Sequence, residues 1–216
     1  TCRPTSAENA RPCAESIVTT LATNAYRRRL GADDVDDLLR FYDDGAARGG
    51  FEEGIRTALQ ATLASPDFIF RLERPPATAT ASGSYAVDDA SLASRLAFFL
   101  WGAPPDAELI ALASTGQLSD LSVLEAQARR MLADPRSETL GTRFAALWLR
   151  LQDMDQVQPD AFWFPNFDRQ LADAMRRETE LLFNHLVRED RSLLELFGAD
   201  YTFVNERLAR HYGIPN

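Results

Sequence analysis

The chain has 216 residues, 45% of them hydrophobic and 25% charged, enough for one sizeable core or two small domains. Its net charge of −9 excludes a nonspecific nucleic-acid binder, which needs a basic face to neutralise phosphate. Apolar runs such as residues 96–101 fall far short of the roughly 20 residues of a spanning helix, so no membrane insertion is expected.

All 23 basic residues are arginine. Together with the abundant alanine this reads as codon bias, but it also makes every basic group a planar fork suited to carboxylates. Cys2 and Cys13 are joined by a polar, proline-containing segment. A disulfide stapling that loop onto the next helix is expected, implying an oxidising compartment; two free thiols are the alternative. Their spacing suits neither a redox pair nor a zinc half-site, and no histidine follows either, so no covalent haem is expected here. No apolar leader precedes Thr1, and both ends read as cuts inside a longer protein.

Helical spacing of Ile17, Leu21 and Ala25 predicts a helix over residues 14–28. Asp33, Asp34, Asp36 and Asp37 form an acidic opening to a second, stopped at Gly49–Gly50. Ile55, Leu59 and Leu63 mark a third, ending at Ser65–Pro66, and a turn over residues 67–72 completes a module spanning 1–73. Residues 74–84, small, polar and proline-initiated, read as a linker to a larger module over 85–216. There, Asp88 or Asp89 can cap a helix reaching Trp101, and helices follow over 106–114, 121–133, 137–151, 168–188 and 202–212. No segment alternates with period two for long enough to be a strand. The expected fold is all-α, a multi-helix orthogonal bundle without a substantial sheet.

Arg95 sits on the edge of the Leu92, Leu96, Phe99 face, where a buried cation needs a carboxylate. Glu178, close to the Leu171, Met175, Leu182 stripe, is the expected partner, and Asp106 the alternative. The pair reads as an interhelical clamp; with His211 it forms the candidate catalytic set. Asn205 is expected to back-bond to a cap at Thr202, and His211 to complement the last helix's dipole and stack on Tyr212. Two histidines without an acidic ligand set argue against a metal site. Phe162, Trp163, Phe164 and Phe167 make an aromatic loop, read as a lid formed by Phe164 and Phe167, with Trp163 partly exposed as a candidate ligand-binding residue for sugar stacking.

Several segments carry a family resemblance. The run from Leu92 to Trp101, Ala128-Arg-Arg-Met-Leu-Ala-Asp-Pro-Arg136, Phe144-Ala-Ala-Leu-Trp-Leu149 and Asn205-Glu-Arg-Leu-Ala-Arg-His-Tyr-Gly213 resemble the larger helical module of secreted planctomycete-type proteins, a domain-of-unknown-function family. Ala25-Tyr-Arg-Arg-Arg-Leu30 and Leu63-Ala-Ser-Pro-Asp-Phe-Ile-Phe-Arg71 resemble the short module that precedes it, although Arg29 stands where proline is common. The resemblance implies an extracytoplasmic bacterial protein with c-type cytochrome modules elsewhere in the chain, and supplies no catalytic residues. The expected role is a non-catalytic scaffold or docking module whose partners are other modules of the same polypeptide, without a cofactor of its own. An oxidoreductase or polysaccharide-active enzyme with a pocket around Arg95 and Glu178, and a glycan-binding module using Trp163, are the alternatives.

Overall fold

The computed structural model describes residues 2–73, 75 and 84–215, so most of the expected linker, residues 74 and 76–83, lies outside the described residues. The described residues are all-α, with helical elements and no strand. They divide into two compact units, Thr1–Phe98 with Ala103–Gln127, and Phe99–Gly102 with Ala128–Asn216.

In the first unit, α1 (Ala7–Tyr26) packs against α2 (Ala32–Ala64). Ala14, Val18 and Ala22 recur every four residues on one face of α1 and meet Leu38, Leu39, Tyr42 and Ala58 of α2. Helix α1 starts at Ala7 rather than at residue 14, so the segment between the cysteines is largely helical. Pro12 sits inside it; the ring holds a helical φ but removes one hydrogen-bond donor and crowds the carbonyl one turn before it. Cys13 is therefore a buried helix residue, and a disulfide ties Cys2 to it. Closing so short a loop is worth about 2–3 kcal/mol at most. Reduction is expected to lower the melting temperature by several degrees, with loss of helicity at the start of α1, read by circular dichroism with and without reductant.

Within α2 the helical path breaks at Gly49 and Gly50, the latter at φ 77, a conformation that glycine adopts without a Cβ penalty. The two arms fold back on each other. Gly45 lies against Glu53 and Gly54, which a straight helix would hold about 12 Å or more away. A short α3 (Pro66–Ile69) follows, its first turn capped by the Ser65 hydroxyl, which accepts from the Asp67 N–H at 3.2 Å.

The chain then reaches α4 (Asp89–Leu100), whose first turn is capped by Asp88 through the Ser91 N–H at 2.7 Å. Asp89 is buried and accepts instead from the Leu118 N–H at 2.7 Å and from the Ser119 hydroxyl. That ion–dipole cluster fixes the loop after α5 (Ala107–Ser114). Asp106 caps α5 through the Leu109 N–H at 3.0 Å. Helix α6 (Leu121–Ala133) runs on into the second unit.

In the second unit the expected helix over 137–151 is subdivided. A 3-10 turn (Pro135–Glu138), a π-helical turn (Leu140–Ala145) and α7 (Ala146–Trp148) replace it, followed by a 3-10 segment (Leu151–Gln156). The cause lies on α8 (Arg169–Arg188). There the buried Asn184 amide accepts from the Gly141 N–H at 3.1 Å and donates to the Glu138 carbonyl at 3.3 Å. A side chain thus takes over backbone bonding that an unbroken α-helix would supply. Helix α8 is capped by Asp168 through the Leu171 N–H at 2.7 Å. After the short α9 (Glu195–Gly198), α10 (Glu206–Tyr212) packs its Leu208 against Leu171 and Ala174 of α8.

Candidate functional site

Arg95 departs from expectation. Its side chain is 59% exposed, and Nε donates to Glu73 Oε1 at 2.6 Å while Nη2 donates to Oε2, a bidentate pair within the first unit. The buried apolar residues of α4 and the turn after it are Ala93, Ala97, Leu100 and Trp101, at helical spacing that turns Arg95 away from the core. Glu73, not Glu178 or Asp106, is its carboxylate. The Arg95 guanidinium beside it holds the Glu73 carboxyl below its ordinary range.

Arg95 and Glu73 stand at a cavity of about 430 Å³ inside the first unit. Buried Arg27 and half-buried Arg28 also line it. Arg28 donates to Asp34 at 2.7 and 2.9 Å and to Asp67 at 3.0 Å. Those carboxylates hold the Arg28 guanidinium firmly protonated despite its partial burial. Arg27, only 9% exposed, donates to three neutral acceptors, the carbonyls of Asp67, Phe68 and Phe70. Burial pushes its pKa down, and the nearby Arg71 charge pushes the same way.

In the second unit, Trp101 meets Arg130, Met131 and Arg136 of the Ala128–Arg136 segment. Its Nε1 donates to the Met131 carbonyl at 2.9 Å, and the Arg136 guanidinium lies 3.5 Å from the ring centroid. Arg136 also forks onto Asp134 at 2.7 and 2.9 Å. That fork holds the Asp134 carboxyl down at about 2. The cluster is a packed, charge-compensated joint.

Glu178 takes hydroxyl partners. The Tyr212 hydroxyl donates to Oε2 at 2.8 Å and the Thr202 hydroxyl donates to Oε1, which pins the end of α10 to α8. His211 packs against Tyr212 with centroids 5.6 Å apart, so Glu178 and His211 share a neighbourhood through that tyrosine. Asn205 is itself the cap of α10, accepting from the Leu208 N–H at 2.9 Å, so the helix begins after Asn205 rather than at Thr202. His185 sits between the rings of Tyr201 and Phe203 at 5.6 and 5.3 Å. Among the described residues no cluster of His, Cys, Asp and Glu could hold a metal ion.

Burial, with the Glu178 hydrogen bond and charge adding to it, pushes the Tyr212 hydroxyl up from 10.0 to about 12. A raised folded value means that the contact contributes fully below pH 10.0 and is lost as pH rises towards about 12. Alkaline melting curves over that interval should be steeper for the natural protein than for Tyr212→Phe. Equal slopes would remove the assignment.

The aromatic loop is less covered than a lid requires. Phe167 packs against the Leu171, Ala174 and Leu208 cluster, but Phe164 is exposed and Trp163 is 74% exposed, edge-on to Phe162 at 5.1 Å. Leu194 and Phe197 around α9 are also exposed, Phe197 at 78%.

Nothing in the local sequence marks Arg27, Arg71 or Ser94 as site residues. Arg27 stands in the Ala25–Leu30 motif, and its partners lie some forty residues away, beyond any local periodicity. Residues 87–214 match the family model described as PSD4: Protein of unknown function (DUF1592), and residues 13–73 match PSD5: Protein of unknown function (DUF1595). No curated protein and no solved structure matches the chain.

Proposed function

The chain belongs to the PSD4 family of proteins of unknown function, and from that premise we propose that it is a non-catalytic helical docking module of a larger extracytoplasmic protein whose other modules carry c-type haem. The observation that carries this reading is the set of large apolar side chains left open in the second unit, Phe162, Trp163, Leu194 and Phe197, all largely exposed. Exposed large aromatics of this kind are characteristic of surfaces that receive a partner. The Cys2–Cys13 disulfide supports an oxidising compartment. The haem-bearing neighbours and the planctomycete-type context rest on the resemblance carried by the Leu92–Trp101 and Asn205–Gly213 segments.

The full-length protein is expected to show c-type haem absorption bands, and its spectrum without them would end this reading. A separately prepared haem-bearing module should bind the chain, and Phe197→Ser should weaken that binding by about tenfold without changing the melting temperature.

A glycan-binding role is the second reading, favoured by the right-angled Phe162–Trp163 pair on the surface. It requires affinity for some polysaccharide that Trp163→Ala abolishes; a broad glycan array without signal would remove it.

A further inference from the structure

The exposed turn at α9 forms an apolar knob held rigidly from behind. Leu194 and Phe197 are each 78% exposed and Leu193 is half-exposed. The Phe197 N–H donates to the Leu194 carbonyl at 3.1 Å, which sets the two side chains one helical turn apart on the same face. Beneath them, the Arg191 Nε and the Tyr201 hydroxyl both donate to Glu195 Oε2, at 2.7 and 2.8 Å. The Arg191 backbone N–H donates to the Leu186 carbonyl of α8 at 2.9 Å, and His185 packs against Tyr201. The knob is thus presented before any partner arrives, which lowers the ordering cost of binding.

The charges bordering the knob are a separate observation. Residues 186–203 carry Arg188, Glu189, Asp190, Arg191, Glu195 and Asp200. Arg191 and Glu195 neutralise each other. Glu189, Asp190 and Asp200 are exposed and make no ion pair among the described residues. Arg188 is the one guanidinium of the segment left to face these three carboxylates, and its charge also acts on Glu138. The Phe162–Trp163 loop differs: there Asp160 caps the Phe162 N–H at 2.8 Å, and Asp153, Asp155 and Asp168 are all in ion pairs.

We propose that the α9 knob docks a basic protein surface, an apolar pocket rimmed by lysine or arginine side chains. The proposal rests on the docking role above and names the chemistry of the partner. Leu194 and Phe197 fill the pocket, and Glu189, Asp190 and Asp200 face its cations. A second copy of the chain is a poor occupant, because it brings the same carboxylates and like charges across an interface repel. The same repulsion disfavours an anionic lipid surface. The exposed apolar area is on the order of a few hundred Å², below the roughly 800 Å² per partner of a standard interface. The charged rim therefore supplies part of the recognition. Complementary charge of this kind acts mainly on encounter rate and specificity, and salt screens it.

Binding of the intact chain to the separately prepared haem-bearing module, at about 25 and about 250 mM sodium chloride, tests it. The Kd should rise by about tenfold or more between the two. The triple variant Glu189→Gln, Asp190→Asn, Asp200→Asn should bind about tenfold more weakly at the lower salt and lose most of the salt dependence. Asparagine at position 190 suits the left-handed backbone there, at φ 49. The triple variant Asp33→Asn, Asp36→Asn, Asp44→Asn removes as many charges from the first unit and should leave the Kd unchanged, which separates the rim from the overall charge of −9. Phe197→Ser should weaken binding at both salt concentrations. No binding at either salt ends the docking role and this proposal with it. The basic partner alone is overturned if binding through Phe197 is indifferent to salt, if the rim variant binds like the natural protein, or if the first-unit variant weakens binding equally. Self-association of the chain that Phe197→Ser abolishes would overturn it in favour of a second copy.

Discussion

Arg27→Met is expected to cost the first unit about 3 kcal/mol of stability, the largest loss for any single arginine there. Its guanidinium is buried and holds the carbonyls of Asp67, Phe68 and Phe70 around the end of α3, with distances of 2.7 Å to Phe70 and 3.2 Å to Phe68. Hydrogen bonds to a charged group are worth roughly 1.5–3 kcal/mol each but do not add fully. Methionine keeps much of the stem's volume and removes every donor. Arg27→Lys should fall between the two, since an ammonium keeps the charge but lacks the planar fork. Arg95→Met is the control: its pair with Glu73 is solvent-exposed, and such pairs contribute little to stability. Urea unfolding followed by circular dichroism orders the variants, and an Arg95→Met loss equal to that of Arg27→Met would refute the comparison.

That ranking reverses the one suggested by the sequence, and the reason is physical. Arg95 stands among leucines and phenylalanines, so local hydrophobicity marks it as buried. The stripe that is actually buried runs through Ala93 and Ala97, both 0% exposed, and alanine carries too little hydrophobic weight to reveal it. Small residues dominate the α1 face as well, through Ala14 and Ala22. Features with local causes are legible: the all-α class, the stop at Gly49–Gly50, a cap for α4 at Asp88 or Asp89, and the pairing of Cys2 with Cys13. Features set by distant partners are not. The π-turn at Leu140–Ala145 depends on Asn184, and the cavity brings α1, the segment after α3 and α4 together. Glu178 does need a partner, as its place beside an apolar stripe suggests, but hydroxyls on Thr202 and Tyr212 serve a carboxylate as well as a guanidinium does.

Gly54→Ala separates helix propensity from packing. In an open helix the change would stabilise by about 1 kcal/mol. Here a Cβ at Gly54 would stand 2.6 Å from two ring carbons of Tyr42 and 2.8 Å from its carbonyl oxygen. Tyr42 cannot step aside: it is buried in the α1–α2 core, and its ring packs edge-on to Phe51 at 6.0 Å. The carbonyl belongs to the facing arm's backbone, so relief requires the two arms of α2 to separate. Overpacking of this kind costs typically 1–3 kcal/mol, at the upper end where backbone must move. A net loss of about 2–3 kcal/mol is expected, with the Tyr42 near-ultraviolet signal altered. Gly116→Ala calibrates the alternative cause, because Gly116 has φ 72 and a Cβ there would meet no atom within 4 Å. Its cost should be backbone strain alone, about 1 kcal/mol. If Gly54→Ala proves as stable as the natural protein, the arms of α2 are not in close contact, and the N-terminal core is built around a looser crossing than the glycine pair implies.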